Sequence, residues 1–220
     1  MAKKQCPNCG ITWLELSVPV EGQKTSCMCE KTFVFKNGNW SEGFPYFEEY
    51  QRLAERTANN GQGAMQRLGN FGMGIAGETA EFIDAVVNFE TSGEQHAALI
   101  KEAGDVSWYC ATLCTTAGIS YQVVVEAAEE AEPALLYVCI GRLSKAAGDV
   151  TEYLKKVVYH GHELDQAKLG NLIGTVLSWM KLFCKRYNLN MQDICDTNIA
   201  KLKQRYPEGF NSAGSINRIV

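Results

Sequence analysis

Apolar residues recur with helical spacing over most of the chain after residue 45. Residues such as Phe82, Ile83, Val86 and Val87 fall on one side of a helix between charged positions, a pattern typical of amphipathic helices. We expect helices near residues 46–58, 64–90, 95–117, 134–159, 166–187 and 191–205. Asn190, which precedes the last of these, is a suitable N-cap.

The pattern before residue 43 is different. Thr32-Phe33-Val34-Phe35 alternates with the period of a strand, and Asn37-Gly38 after it is a typical hairpin turn. The sequence therefore predicts a small β-rich module over residues 1–43 and an all-α domain over residues 44–220.

The helical domain contains a repeated pattern. Gly77-Glu78-Thr79-Ala80-Glu81-Phe82-Ile83 matches Gly148-Asp149-Val150-Thr151-Glu152-Tyr153-Leu154, and Gly104-Asp105-Val106 matches Gly174-Thr175-Val176. The constant separation of about 70 residues indicates a duplicated supersecondary unit. We place copy one at about 46–132, copy two at about 133–206 and a tail at 207–220; chance similarity between two amphipathic helix pairs is the alternative.

Four acidic residues form two pairs, Glu78 with Glu81 and Glu102 with Asp105. Members of a pair are three residues apart, so both point off one face of a helix. Two such helices packed antiparallel would bring four carboxylates together, and unpaired buried charge is costly unless cations neutralise it. Oxygen ligands favour Mg²⁺ or Mn²⁺. The alternative is two solvent-exposed helix faces.

Copy two does not preserve all four acids. Asp149 and Glu152 correspond to the first pair, but Leu172 and Thr175 occupy the positions of the second. An apolar leucine cannot bind a hard cation. We therefore expect a single metal site, with Asp149 and Glu152 in structural or supporting roles.

The spacing Glu78-x-x-Glu81, twenty residues, then Glu102-x-x-Asp105 resembles the all-α nucleoside triphosphate pyrophosphohydrolases of the MazG-like superfamily, in particular phage-type members. Further stretches are similar to that family's first helix, to its two metal-binding helices and to its C-terminal nucleotide-contacting end: 49–57, 76–81, 101–109 and 198–210. The resemblance covers about residues 46–217.

This resemblance implies a helical bundle that hydrolyses (d)NTPs to a monophosphate and pyrophosphate with Mg²⁺. It implies that the four acids bind metal and that Glu78 or Glu81 takes a proton from water. The residues that we expect to contact the nucleotide are Gln51, Asn70, Tyr109, Asn198, Lys201 and Arg205. Packing or capping roles stay open for Gln51, Asn70 and Tyr109, and Lys201 and Arg205 could instead form a solvated basic face.

The chain departs from the family in one respect. The acids lie in copy one, while the tail that resembles the nucleotide-contacting end closes copy two. Family members act as dimers whose sites use both subunits, so the resemblance implies a single-chain pseudo-dimer. Further association into a homo-oligomer stays open.

Cysteines in the N-terminal module have the spacing of a structural zinc site. Cys6 and Cys9 precede a glycine, and Cys27 and Cys29 follow in a segment too short for a large core. Four thiolates around Zn²⁺ would supply folding energy, as in zinc ribbons. Contacts with nucleic acid or protein are both open for this module, whereas Cys110 and Cys114 are expected to be buried thiols.

Composition limits the remaining classes. The 220 residues are 46% hydrophobic and 21% charged, with a net charge of −4, which argues against a broad nucleic-acid surface. We find no apolar stretch of membrane-spanning length and no signal peptide at the start, and we expect a cytoplasmic protein.

The alternative function is a non-catalytic nucleotide sensor or an adaptor that binds through its zinc module. Gly72-x-Gly74-x-x-Gly77 is more simply explained by close helix packing than by dinucleotide binding.

Overall fold

The computed structural model of the protein describes residues 3–5, 12–14, 24–26, 32–36, 39–43, 45–93 and 96–216. The chain divides into two compact units, Met1–Glu49 and Tyr50–Val220. The break falls inside the first helix, a few residues after the boundary predicted at residue 43.

The described parts of the first unit before the helix are strands. They are β1 (Lys3–Gln5), β2 (Thr12–Leu14), β3 (Lys24–Ser26), β4 (Thr32–Lys36) and β5 (Asn39–Gly43). β1 pairs with β2, and β3, β4 and β5 form an antiparallel sheet in that order. Lys36 lies opposite Asn39, as expected for strands that flank Asn37-Gly38, although residues 37 and 38 lie outside the described residues.

Between residues 45 and 216, every described element is a helix. The helices are α1 (Tyr46–Glu55), α2 (Ala64–Ser92), α3 (His96–Ala117), α4 (Tyr121–Ala127), α5 (Leu136–His160), α6 (Gln166–Arg186), α7 (Met191–Arg205) and α8 (Ser212–Ile216). All six predicted helices are confirmed, with ends shifted by a few residues. None of the described helices combines the length and apolar character that crossing a membrane requires.

Local sequence explains where the helices begin and end. The side chains of Ser120, Asp165 and Asn190 accept hydrogen bonds from backbone N–H groups at the starts of α4, α6 and α7, which satisfies donors that a helix leaves unpaired. The predicted Asn190 cap is therefore confirmed. Gly93 ends α2 with a φ of 70°, a left-handed conformation that favours glycine.

The core lies between α2, α3, α5 and α6. α2 packs against α3 and α5, and α5 packs against α6, while α7 lies on α3 and α4 lies on α6. Phe89 stacks on His96 at one end of α2 and Phe71 meets Trp108 towards the other, so α2 and α3 run antiparallel. This arrangement brings the middle of α2, with Glu78 and Glu81, beside the first half of α3.

The apolar positions of the amphipathic pattern in α2 differ in burial. Phe82 and Val86 are buried and Ile83 is half-buried, but Val87 is 41% exposed. Val87 follows Val86 by one residue, which rotates it about 100° around the helix and out of the contact with α3 and α5. The predicted role of small residues is clear at Gly72, where a Cβ atom would lie 2.4 Å from Leu154 Cδ1 on α5.

Candidate metal and nucleotide site

The acidic cluster, defined as Glu78, Glu81 and Glu102, lies where α2 and α3 pack against each other. One carboxylate oxygen from each residue lies within 4.8 Å of the other two. The cause is local, because the spacing of three residues in each pair directs both acids off one helix face. Among the described residues, this is the one group of His, Cys, Asp or Glu side chains found to be close enough to share a metal ion.

Glu102 carries the strongest indication of a cation. Its Oε1 accepts a hydrogen bond from the Lys101 ammonium at 2.6 Å, whereas Oε2 is buried and has no hydrogen-bond partner among the described residues. A buried carboxylate oxygen without a partner is energetically costly. A divalent cation shared with Glu78 and Glu81 would neutralise it, so the donor set fits Mg²⁺ or Mn²⁺.

Glu78 is electrostatically perturbed. Burial raises the pKa of its carboxyl group from 4.5 to about 7, and the negative charges of Asp105, Glu81 and Glu102 act in the same direction. The Lys201 ammonium partly offsets this increase. A carboxylate with such a pKa can accept and release a proton near neutral pH.

Asp105, the fourth predicted ligand, is held by α7. Both of its oxygens accept hydrogen bonds from Lys201 Nζ, at 2.5 and 2.6 Å, and Oδ1 also accepts one from Asn198 Nδ2 at 2.9 Å. Gly104 permits this approach, since a Cβ atom there would lie 2.9 Å from the Asn198 Cβ. The structure thus brings three predicted residues together, although it places Asp105 beside the acidic cluster rather than within it.

Two residues that sequence reasoning missed support this arrangement. The hydroxyl of buried Tyr50 donates to Asn198 Oδ1 at 3.3 Å, which orients the amide towards Asp105. Lys101 neutralises part of Glu102, as described above. A single tyrosine in the first helix and a lysine next to a glutamate carry no distinctive sequence signal, so only the packing identifies them.

A cleft of about 390 Å³ opens beside the acids. Glu78, Glu81 and Asp105 form one part of its lining, together with the basic residues Lys101 and Arg205. Most of the other lining residues are aromatic or carry amide groups: Phe71, Trp108, Tyr109, Tyr206, Phe210, Asn59, Gln62 and Asn70. The predicted residues Asn70, Tyr109 and Arg205 therefore share a cleft with the acids.

The aromatic side of the cleft is fixed by packing. Trp108 Nε1 donates to Thr57 Oγ1 at 2.9 Å, and the Trp108 ring meets the rings of Phe71 and Tyr109 edge to face. A Cβ atom at Gly74 would lie only 2.0 Å from Tyr109 Cε1, so the Tyr109 ring occupies the space that this glycine leaves. Flat rings beside amide groups suit a heteroaromatic ligand, which stacks on the rings and exchanges hydrogen bonds with the amides.

Gln51 does not join the site. Its Nε2 donates to Thr115 Oγ1 and to the Ile119 carbonyl at 3.1 and 2.9 Å, and its Oε1 accepts from the Tyr121 amide at 2.8 Å. Both ends of the amide thus bind the turn between α3 and α4. Gln51 thus makes the packing contacts that the sequence left open as the alternative, and it is not among the residues that line the cleft. Within the cleft, Gln62 is an unforeseen residue whose buried Oε1 has no partner among the described residues.

The acids of copy two lie on the surface. Asp149 pairs with Lys145 at 2.5 Å, and Glu152 pairs with Lys155 and Lys156 at 2.5 and 3.4 Å. All of these side chains are largely exposed. For Asp149 and Glu152, which were expected to have structural or supporting roles, the described contacts are ion pairs along α5.

The predicted zinc ligands, Cys6, Cys9, Cys27 and Cys29, lie outside the described residues, so zinc stays a prediction. Cys110 and Cys114 are buried free thiols, as expected, and so are Cys139, Cys184 and Cys195. Burial raises the pKa of the Cys114 thiol to about 12, which keeps it protonated and unreactive at neutral pH.

Comparison of the chain with protein-family models, curated proteins and solved structures gave no match.

Proposed function

We propose that this protein is a MazG-like nucleoside triphosphate pyrophosphohydrolase that uses Mg²⁺, or Mn²⁺, to convert (d)NTPs to monophosphates and pyrophosphate. One observation carries the proposal. The carboxylates of the acidic cluster, including Glu102 Oε2, which has no partner among the described residues, lie beside a cleft. The aromatic, amide and basic side chains that line this cleft suit a nucleotide.

Charge is the first argument. A nucleoside triphosphate carries about four negative charges, and carboxylates accept it only through intervening cations. Glu78, Glu81, Glu102 and Asp105 would hold the metal, which when bound neutralises phosphate oxygens and lowers the pKa of a water molecule. Lys101 and Arg205 line the same cleft and supply further positive charge for the phosphates.

The chain's own residues account for the remaining roles. Glu78 or Glu81, both in the acidic cluster, accepts the proton of the attacking water. Trp108 and Tyr109, supported by the buried Phe71 ring, form the surface on which the base stacks, and Asn70 and Gln62 offer amide groups to its edges. The water oxygen attacks the α-phosphorus, and the bond between this phosphorus and the oxygen that bridges it to the β-phosphorus breaks. Pyrophosphate leaves with the bridging oxygen.

The proposal includes an internal duplication. The order α2, α3, α4 corresponds to α5, α6, α7, and the third helix of each set lies on the second helix of the other: α4 on α6 and α7 on α3. This reciprocal packing is the pattern of a two-fold related dimer joined into one chain. It explains why Asn198 and Lys201 of the second set reach Asp105 of the first.

Pyrophosphate release tests the proposal directly. Purified protein is incubated with a panel of NTPs and dNTPs and Mg²⁺, and the products are separated by chromatography. We expect monophosphate and pyrophosphate in equal amounts, with no turnover in excess chelator. Release of orthophosphate would contradict the reaction type, and tight nucleotide binding without any product would favour the non-catalytic sensor.

A further inference from the structure

We infer that Lys201 competes with the metal for Asp105 and thereby couples metal binding to nucleotide binding. This inference rests on the proposed function and concerns how its site is regulated. The Lys201 ammonium stands where a cation would need to bind Asp105, and it must leave before both Asp105 oxygens become ligands. Nucleotide phosphates then offer it a new partner.

The geometry of Asp105 carries the first step. Lys201 Nζ contacts both carboxylate oxygens, at 2.5 and 2.6 Å, and Asn198 Nδ2 occupies a further direction on Oδ1 at 2.9 Å. Hydrogen bonds between charged groups at such distances are strong, and both side chains are only about one quarter exposed, at 24% and 22%. Lys201 thus occupies a position on each Asp105 oxygen and Asn198 a second position on Oδ1, so a cation that binds both oxygens has to displace the ammonium.

The surrounding charges explain why an ammonium group is held there. Asp105 lies close enough to Glu78 for its charge to raise the Glu78 pKa, and Lys201 opposes that effect. Two ammonium groups bind these carboxylates, Lys101 on Glu102 and Lys201 on Asp105, so the loss of Lys201 would leave the four acids with less neutralising charge. Lys201 thus reduces the repulsion that a bound divalent cation would also relieve, and the ammonium and the metal compete for the oxygens of Asp105.

Lys201 lies on the helix that also carries Arg205, a cleft residue, so a nucleotide phosphate in the cleft could replace Asp105 as the partner of its ammonium group. Asp105 lines the cleft, and so does Arg205, which lies one turn further along α7. Lysine has a long, flexible stem that can swing its ammonium over several ångströms. A triphosphate in the cleft would draw the ammonium from Asp105, which frees the oxygens for metal. Metal and nucleotide then bind cooperatively, each favouring the displacement that the other requires.

This mechanism predicts effects of opposite sign for one substitution. In Lys201→Met, metal alone should bind more tightly, because its competitor and a repelling positive charge are gone. The enhancement of metal affinity by nucleotide should shrink, because the released ammonium no longer gains a phosphate partner. A merely structural role for Lys201 would weaken both kinds of binding.

The test measures Mn²⁺ binding by electron paramagnetic resonance on full-length protein stripped of metal. Wild type, Lys201→Met and Lys201→Gln are titrated with Mn²⁺ alone, then with Mn²⁺ and an α,β-imido nucleoside triphosphate, which is not cleaved. The matched control is Lys203→Met, an exposed position on the same helix. We expect both Lys201 variants to bind Mn²⁺ alone about threefold to tenfold more tightly, the scale of a partly screened charge-assisted bond, and to lose about tenfold of the enhancement by the analogue.

Each result is decisive. Unchanged or weaker binding of Mn²⁺ alone by a folded Lys201 variant would overturn the inference and leave the proposed function intact. The proposed function itself would be overturned if wild-type protein bound no Mn²⁺, or if Glu81→Gln left its Mn²⁺ affinity unchanged. If neither Lys201 variant folds, the wild-type titration still decides, because Mn²⁺ affinity that the analogue does not increase would contradict the coupling.

Discussion

Glu81 and Glu152 occupy corresponding positions in the two similar helix pairs, yet their surroundings differ. Glu81 lies within 4.8 Å of the carboxylate oxygens of Glu78 and Glu102, where like charges repel and a cation is favoured. Glu152 pairs with Lys155 and Lys156 on an exposed face, where such pairs contribute little to stability. The same residue type is therefore a candidate ligand in one copy and a surface charge in the other.

This contrast gives a matched pair of variants. We expect Glu81→Gln to lower the turnover rate by at least about a hundredfold, beyond the effect typical of losing a supporting residue, and Asp105→Asn to do the same. The melting temperature of Glu81→Gln in chelator should equal or exceed that of wild type, because a repulsive charge is removed. Glu152→Gln is the control, and a comparable loss of activity there would show that copy two takes part in the site.

Gly74 governs the position of the Tyr109 ring. We expect Gly74→Ala to reduce the free energy of unfolding by about 1–3 kcal/mol, because the added methyl group overlaps the ring, and to weaken binding of a nucleotide analogue. Chemical denaturation and fluorescence titration measure the two effects.

The control is Gly77→Ala on the same helix, where a Cβ atom would meet no atom of the described residues within 4 Å. Alanine should stabilise the helix there by up to about 1 kcal/mol. Equal effects at the two glycines would mean that the contact with Tyr109 does not constrain the cleft.

At the scale of elements, the short helix α4 depends on a neighbour. Lys181 on α6 donates from its ammonium to the carbonyl groups of Val125 and Ala128, at 2.7 and 2.6 Å. These carbonyls belong to the end of α4, where helices leave acceptors unpaired and favour positive charge. α4 and α6 are thus joined by a cap that comes from another helix.

We therefore predict that Lys181→Met reduces the free energy of unfolding by about 1–2 kcal/mol, since two carbonyl groups lose their charged donor. Urea denaturation of the full chain measures the change. Lys185→Met, one turn later, removes an ammonium that is 70% exposed and pairs with Glu130, and its midpoint should stay close to that of wild type. A Lys181 variant that also denatures like wild type would contradict the cap.

At the scale of the whole molecule, we expect each compact unit to bind its own metal, so that zinc can be removed from the first unit without loss of the metal-dependent activity of the second. We predict about one zinc per chain, bound by Cys6, Cys9, Cys27 and Cys29 in a closed tetrahedral site that leaves no position for substrate. Deletion of residues 1–43 should remove the zinc and leave (d)NTP hydrolysis largely unchanged. Elemental analysis and the pyrophosphate assay measure these results, and a soluble truncated protein without activity would show that the module helps to build the site.

Cysteine alkylation provides an independent measurement of the same division. The five cysteines of the helical unit are buried, so a thiol reagent should modify none of them in folded protein. After zinc is removed, mass spectrometry should show modification of the four N-terminal cysteines alone. Modification of those four before zinc removal would argue against the zinc site.

The sequence by itself determined the six main helices and the local geometry of the acids. Helical periodicity and capping residues such as Asn190 act within a few residues, so the six long helices could be predicted to within a few residues. The spacing of Glu78 with Glu81 and of Glu102 with Asp105 likewise fixes a shared helix face, because helical geometry alone sets it. Convergence of the acids followed once α2 and α3 packed antiparallel.

Only the tertiary structure decided which distant residues meet these acids. Lys201 and Asn198 bind Asp105 because α7 lies on α3. Gln51 binds the turn after α3, whereas Gln62 lines the cleft. No sequence pattern distinguishes the two glutamines. Such contacts join residues far apart in the chain, and their free energy depends on packing and burial that become defined only when the helices assemble. Local geometry is encoded residue by residue, whereas the partners of a charged group are chosen by the whole fold.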